Sequence, residues 1–126
     1  MIQRQSSLII IDNSGAKVVK CISILGGFKK KNAYLGDIVV VSVKQIRTKN
    51  KSKLKVGKGD VLRAVIVKTK NKKIKKDGSM LKFNKNSGIL LNKQNKPIAT
   101  RILSSIPKEF RYHKFMKVSS LSSAIL

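Results

Sequence analysis

A chain of 126 residues has room for one domain with a modest core and none for a second. Its 41% hydrophobic content, rich in Val, Ile and Leu, excludes a disordered tail, and 29 basic residues against 5 acidic ones exclude a charge-balanced surface. A formal net charge of +24 repels itself in a compact chain, and a polyanion partner resolves it, because each phosphate neutralised by Lys or Arg releases condensed counterions.

The first half reads as strands. Leu8-Ile9-Ile10-Ile11 and Val18 to Ile24 are β-branched-rich runs separated by Asp12-Asn13-Ser14-Gly15, a turn composition. Gly26-Gly27 ends the second run, and Lys29-Lys30-Lys31 follows in the connection. Phe28 and Tyr34 flank that cluster; either could stack on a base or join the core, and Phe28 is assigned to the core. Gly36-Asp37 opens a strand from Ile38 to Val43, and Gly59-Asp60 opens another from Val61 to Val67. Between them, Arg47, Lys49, Lys51, Lys53, Lys55 and Lys58 give six basic residues in twelve.

Lys68, Lys70, Lys72, Lys73, Lys75 and Lys76 then give six lysines in nine residues, leading into Asp77-Gly78. That dipeptide signals a hairpin with a type I′ turn, which needs positive φ at both central residues. Leu81 and Phe83 alternate with Lys82 and Asn84, so one face is apolar and returns the chain to the core. Ile74, alone among the lysines, reads as a small packing contact on the ribbon or a neighbour. Gly88-Ile89-Leu90-Leu91 is a short buried-type strand, and Asn92 to Pro97 a polar turn. After Pro97 the composition suits one or two brief helices, with Pro107 at a first helical position and Glu109 in the first turn. Short strands without long crossovers predict a mainly β single domain, a small closed or nearly closed antiparallel barrel. The barrel covers about residues 1–95 with a basic ribbon at 68–84, and the helical part about 98–126.

Catalysis finds few groups to use. The only acids are Asp12, Asp37, Asp60, Asp77 and Glu109, and each Asp lies at a turn, where its side chain bonds nearby amides. A carboxylate pair holding Mg²⁺ in a nuclease would need two such turns to converge with their acids free. His113 is the sole histidine and Cys21 the sole cysteine, so no metal-ligand set forms. Cys21 sits in an apolar strand and reads as a small core hydrophobe. Gly26-Gly27 and Gly57-Lys58-Gly59 lack the Gly-Lys-Ser/Thr of a nucleotide-binding loop. No enzyme, cofactor, metal or small-molecule substrate is expected. No stretch has the apolar length of a membrane-spanning helix, and Met1-Ile2-Gln3-Arg4-Gln5 resembles no secretory or transit segment, so the protein is expected to be made where it works.

Lysine outnumbers arginine 24 to 5, and Lys, Asn and Ile make up 47 of 126 residues. These residues have A/T-rich codons, so the bias fits an organelle genome or an A/T-rich bacterium. Lysine is a flexible point charge that suits phosphate better than bidentate base reading. The three basic segments carry no acid, as a multi-sided RNA-docking surface would. A general DNA-compacting or single-strand-binding barrel is the alternative, and the few aromatics available for stacking count against it.

One set of motifs runs through Met1-Ile2-Gln3, Asp12-Asn13-Ser14-Gly15-Ala16, Gly36-Asp37 and Gly59-Asp60-Val61-Leu62. It is most specific at Ala64-Val65-Ile66-Val67, Asp77-Gly78, Phe83 and Asn86, and continues through Pro97-Ile98, Thr100-Arg101, Lys114-Phe115-Met116-Lys117 and Ser119-Ser120-Leu121. On these motifs the chain resembles the large-subunit ribosomal protein fourteen family, the universal L-fourteen family, in its bacterial and organellar form. The chain departs from the family pattern at Asn32, where an aromatic is usual, and at Tyr34 and Ala99, where glycine is usual. Its 47–58 connection is longer and more basic, and its last residues lack the usual proline and acid.

The resemblance implies a five-stranded barrel with a projecting β-ribbon and a short helical C-terminal part. It implies binding to large-subunit rRNA, contact with neighbouring large-subunit proteins of families three and nineteen, and an intersubunit bridge to small-subunit rRNA. It also implies a docking point for a ribosome-silencing factor, with Thr100, Arg101 and Lys117 on that surface. Together with the Lys/Asn/Ile bias it points to a mitochondrial ribosome, with a plastid or a bacterial cytoplasm as alternatives.

Overall fold

In β2 (Ala16–Ile24) and β3 (Ile38–Ile46), strand alternation sets which side chains turn inward. Val39, Val41 and Val43 alternate strictly into the interior of β3, whereas β2 buries Ala16, Val19, Cys21 and Ile24. The two gaps of three residues in β2 coincide with register shifts between Ala16 and Val19 and between Cys21 and Ser23. Each bulge inserts an extra residue and returns the next apolar side chain to the core side. The computed structural model that shows this describes residues 1–47, 54–112 and 114–126.

β1 (Ser7–Ile10), β2, β3, β4 (Val61–Lys68) and β7 (Ser87–Leu91) close into a barrel in the order β1-β2-β3-β4-β7. Four of its neighbouring pairs are antiparallel, but β1 and β7 pair in parallel, through Ile9↔Ser87 and Ile10↔Gly88. The mainly β, closed five-stranded barrel is the one expected; one of its five pairs is parallel rather than antiparallel, and the reason is parity. Five strands in a ring that alternate in direction must meet once in the same direction. Gly88 sits at that seam, where a Cβ would stand 3.0 Å from the Val65 carbonyl oxygen.

The barrel interior holds one core, including Leu8, Ile10, Val19, Val41, Ile66 and Leu90. A second core lies outside it. Val65 and Val67 of β4 and Ile89 and Leu91 of β7 pack against Ile102, Ile106, Phe110, Phe115 and Val118 of the C-terminal part. Ala64 to Val67 and Ile89 to Leu91 are apolar without alternation because they are buried on both faces. The C-terminal part carries a 3-10 helix, Lys108–Arg111, and α1, Met116–Ser120, as the sequence predicts. Pro107 is the cap of the 3-10 helix, one residue ahead of its expected place. Cys21 is buried as expected, and burial pushes its thiol pKa up.

The ribbon is short. β5 (Lys73–Ile74) pairs with β6 (Met80–Leu81) as a separate two-stranded sheet. Its turn is not of type I′, because Gly78 has a φ of +80° while Asp77 stays out of the left-handed region. The Gly78 N–H donates to the Lys75 carbonyl at 3.1 Å, and Lys75 N–H to the Ser79 carbonyl at 2.8 Å. This is a turn followed by a left-handed glycine. Asp77 holds it by accepting from Ser79 N–H (3.0 Å) and Ser79 Oγ (2.7 Å), a local bond that leaves its own backbone unstrained. Leu81 and Phe83 are half-buried and belong to neither core, and Ile74 is exposed.

Candidate nucleic-acid interface

Strand direction decides where the charge goes. β3 begins at the β2–β3 connection and ends nine residues later at the β3–β4 connection, about 25–30 Å away at roughly 3.3 Å per residue. Lys29, Lys30 and Lys31 therefore lie at the end of the barrel from which β4 runs into the ribbon. The β2–β3 connection meets the ribbon through Tyr34 and Leu35, in a cleft lined also by Asn71, Lys72, Lys73 and Ile74. The β3–β4 connection lies at the opposite end, where Arg47 N–H donates to Gly15 O (2.8 Å) and Lys55 N–H to Ser14 O (3.1 Å). The structure thus places two of the three basic segments at one end of the barrel and the described part of the third, Arg47 and Lys55, at the other.

The cations differ in how far the protein itself engages them. Lys29, Lys31, Lys70, Lys72 and Lys76 are exposed, and Lys75 is half-buried. Lys30 pairs with Asp37 at 2.8 Å, and Lys73 pairs with Glu109, which ties the ribbon to the 3-10 helix. These are the only side-chain ion pairs among the described residues. Arg47 reaches the Ile10 carbonyl (3.2 Å) and Lys55 the Ile98 carbonyl (3.3 Å). Lys68 donates to Ser104 Oγ at 2.6 Å and lies 5.2 Å from the centroid of Phe83, and burial lowers its pKa. Lys49, Lys51, Lys53 and His113 lie outside the described residues.

The aspartates stand at turns, as their sequence context predicts. Asp37 accepts from Tyr34 N–H (2.8 Å), Asp60 from Gly57 N–H (2.8 Å) and Asp77 from Ser79. Asp12 does more than its turn requires. It is fully buried; Oδ1 accepts from the amide (2.9 Å) and hydroxyl of Ser14, while Oδ2 accepts from Leu90 N–H at 3.0 Å. It thereby fastens the β1–β2 turn to β7 across the parallel seam. Among the described residues no three His, Cys, Asp or Glu side chains form a metal-binding group.

Thr100 and Arg101 are exposed beside that same turn. Asn13 Oδ1 accepts from Thr100 N–H (3.1 Å) and Arg101 N–H (3.2 Å), and Asn13 Nδ2 donates to Thr100 Oγ1 (2.9 Å). Lys117 instead lines a groove between α1 and the 94–97 turn, with Pro97, Phe115 and Met116. The groove does not include Thr100 or Arg101.

Two features escape the sequence reading. Phe28, assigned to the core, is 92% exposed, because Gly26 (φ +92°) and Lys29 (φ +49°) turn the connection outward. Gln3 and Arg4 join Lys29, Lys30 and Lys31 in one cleft. Ile2 is the signal that could have found them: a buried apolar residue at the terminus, it bridges to Ala33 with backbone bonds of 2.8 and 2.7 Å.

A closed barrel that commits its aspartates to turns and displays its lysines on connections is a small structural barrel that serves as a cationic scaffold. The profile of the family described as Ribosomal protein L14p/L23e matches residues 1–126, the whole chain. The protein belongs to this family of structural large-subunit ribosomal proteins, which is not a family of enzymes.

Proposed function

We propose that the protein binds large-subunit rRNA with the two basic segments that share one end of the barrel, and with the 47–58 connection at the other. It contacts neighbouring large-subunit proteins of families three and nineteen. The 97–101 segment and the α1 region face the small subunit, contributing to a bridge with its rRNA. Thr100, Arg101 and Lys117 form the surface that docks a ribosome-silencing factor. The Lys/Asn/Ile bias supports a mitochondrial ribosome as its place of work.

The observation that carries this reading is charge left unpaired on a rigid frame: Lys29, Lys31, Lys70, Lys72 and Lys76 are exposed, and among the described residues no carboxylate forms an ion pair with them. Lysines held this way add affinity through counterion release, so the salt dependence of binding counts them. Replacing Lys72, Lys73, Lys75 and Lys76 with Ala lowers the log–log salt slope of large-subunit rRNA binding by about 2 to 3, since each phosphate contact contributes roughly 0.7–0.9 and Lys73 is shared with Glu109. An unchanged slope takes the ribbon off the phosphates. For the other surface, replacing Thr100, Arg101 and Lys117 with Ala abolishes co-purification of the silencing factor while the protein stays in the large subunit; retention of the factor removes that assignment.

A further inference from the structure

Phe28 is the most exposed large hydrophobic side chain among the described residues, at 92%. Of the other phenylalanines, Phe110 and Phe115 are buried and Phe83 is half-buried under Lys68. The backbone holds this ring out on purpose-built geometry. Gly26 turns the chain after β2 at φ +92°, and Lys29 occupies the left-handed region at φ +49°, which a side-chain-bearing residue enters at a cost. Both flanks are anchored. Leu25 N–H donates to Ile38 O at 3.1 Å before the ring, and after it Lys30 pairs with Asp37 and Ala33 bridges to Ile2.

The surroundings of the ring are cationic. Lys29 Nζ lies 5.4 Å from its centroid, and Gln3, Arg4, Lys29, Lys30 and Lys31 line a cleft of about 480 Å³. The one carboxylate of this connection, Asp37, is already taken by Lys30 and the Tyr34 amide. A partner here has to offer a flat apolar face and negative charge within a few ångströms of each other. An apolar protein surface lacks the charge, and a duplex hides its base faces in the stack. A single-stranded nucleotide carries both in one unit.

We propose that Phe28 is a stacking platform for an unpaired base of a single-stranded RNA segment whose phosphates run along Arg4, Lys29 and Lys31. The proposal rests on the rRNA-binding reading above and adds to it a contact with a base. A stacked base is sequence-tolerant and adds affinity without adding counterion release.

The test uses the full chain, which contains no tryptophan, so Phe28→Trp introduces a single reporter at an exposed position. The probes are an unstructured RNA of roughly 12 nucleotides and an RNA duplex of equal length. Single-stranded RNA is expected to quench the tryptophan, and the duplex to leave it bright. Phe28→Ala is expected to lose about tenfold in single-strand affinity with an unchanged salt slope, and Phe28→Leu to lose as much because it lacks a ring face. Absent quenching with Phe28→Ala binding as the wild type does overturns the stacking proposal. So does full affinity in Phe28→Leu, which would make the contact merely apolar and favour a protein neighbour. If salt-dependent RNA binding persists in these cases, rRNA binding stands and only the platform falls. A wild-type chain that binds neither RNA sinks both.

Discussion

Replacing Asp12 with Ala leaves three donors without an acceptor inside the protein: the amide and hydroxyl of Ser14 and the amide of Leu90. Asp12 and Ser14 are fully buried, so water does not step in without opening the barrel. An orphaned buried donor costs about 1–3 kcal/mol, which puts the two amides alone at roughly 2–6 kcal/mol. Relief from holding a desolvated carboxylate offsets part of this. A net loss of about 3 kcal/mol is expected, a large share of the roughly 5–15 kcal/mol that holds a domain of this size together. The melting temperature falls by about 10 °C. Asp12→Asn keeps one acceptor but turns an NH₂ toward a donor, and loses about half as much. Urea titrations followed by circular dichroism read the change as a lower midpoint at constant slope. A loss of less than about 0.5 kcal/mol for Asp12→Ala would refute the claim that this carboxylate fastens the seam.

Gly88→Ala places a methyl 3.0 Å from the Val65 carbonyl, which has no side-chain freedom to yield, so β4 and β7 must part. A loss of about 1–3 kcal/mol in the same titration is expected, and an unchanged midpoint would show that the β4–β7 pairing has slack. The Lys73–Glu109 pair is partly solvent-exposed, and a double-mutant cycle on it returns no more than about 1 kcal/mol; a coupling of several kcal/mol would mean the ribbon is welded to the C-terminal part. Hydrogen bonds from the Ser79 hydroxyl and amide hold the Asp77 carboxyl below its ordinary value of 3.8. Its support of the ribbon turn is complete above pH 3.8 and is lost as the pH falls through the lower folded value. The Ser79 amide resonance titrates in that acid range, and Asp77→Asn flattens it; a midpoint at or above 3.8 contradicts the hydrogen-bonded turn.

The barrel was legible because the chain states it twice. Apolar runs of strand length recur, and Asp-Asn-Ser-Gly and Gly-Asp turns separate them. What was not legible depends on closure. The parallel seam follows from an odd strand number, which no local pattern carries, and the bulges of β2 show only once Val19 and Ile24 are seen on one side. The continuous apolar stretch at Ala64 to Val67 fits a strand from sequence, but the C-terminal cover that demands it does not show. At the site, composition marked the basic connections but could not sort their cations. Lys68 and Arg47 spend part of their hydrogen-bonding capacity on Ser104 and Ile10, whereas Lys72 and Lys76 stay free in solvent. Phe28 was misplaced because an aromatic beside a strand end reads as core, and its exposure is set by backbone angles at Gly26 and Lys29.

Sedimentation of the native protein on a sucrose gradient tests the central claim most directly. The protein is predicted to travel with the large ribosomal subunit and its rRNA, and to leave it only as rising salt replaces the lysine–phosphate contacts. Recovery solely in slow, rRNA-free fractions at low salt would contradict the assignment of these basic connections to the ribosome.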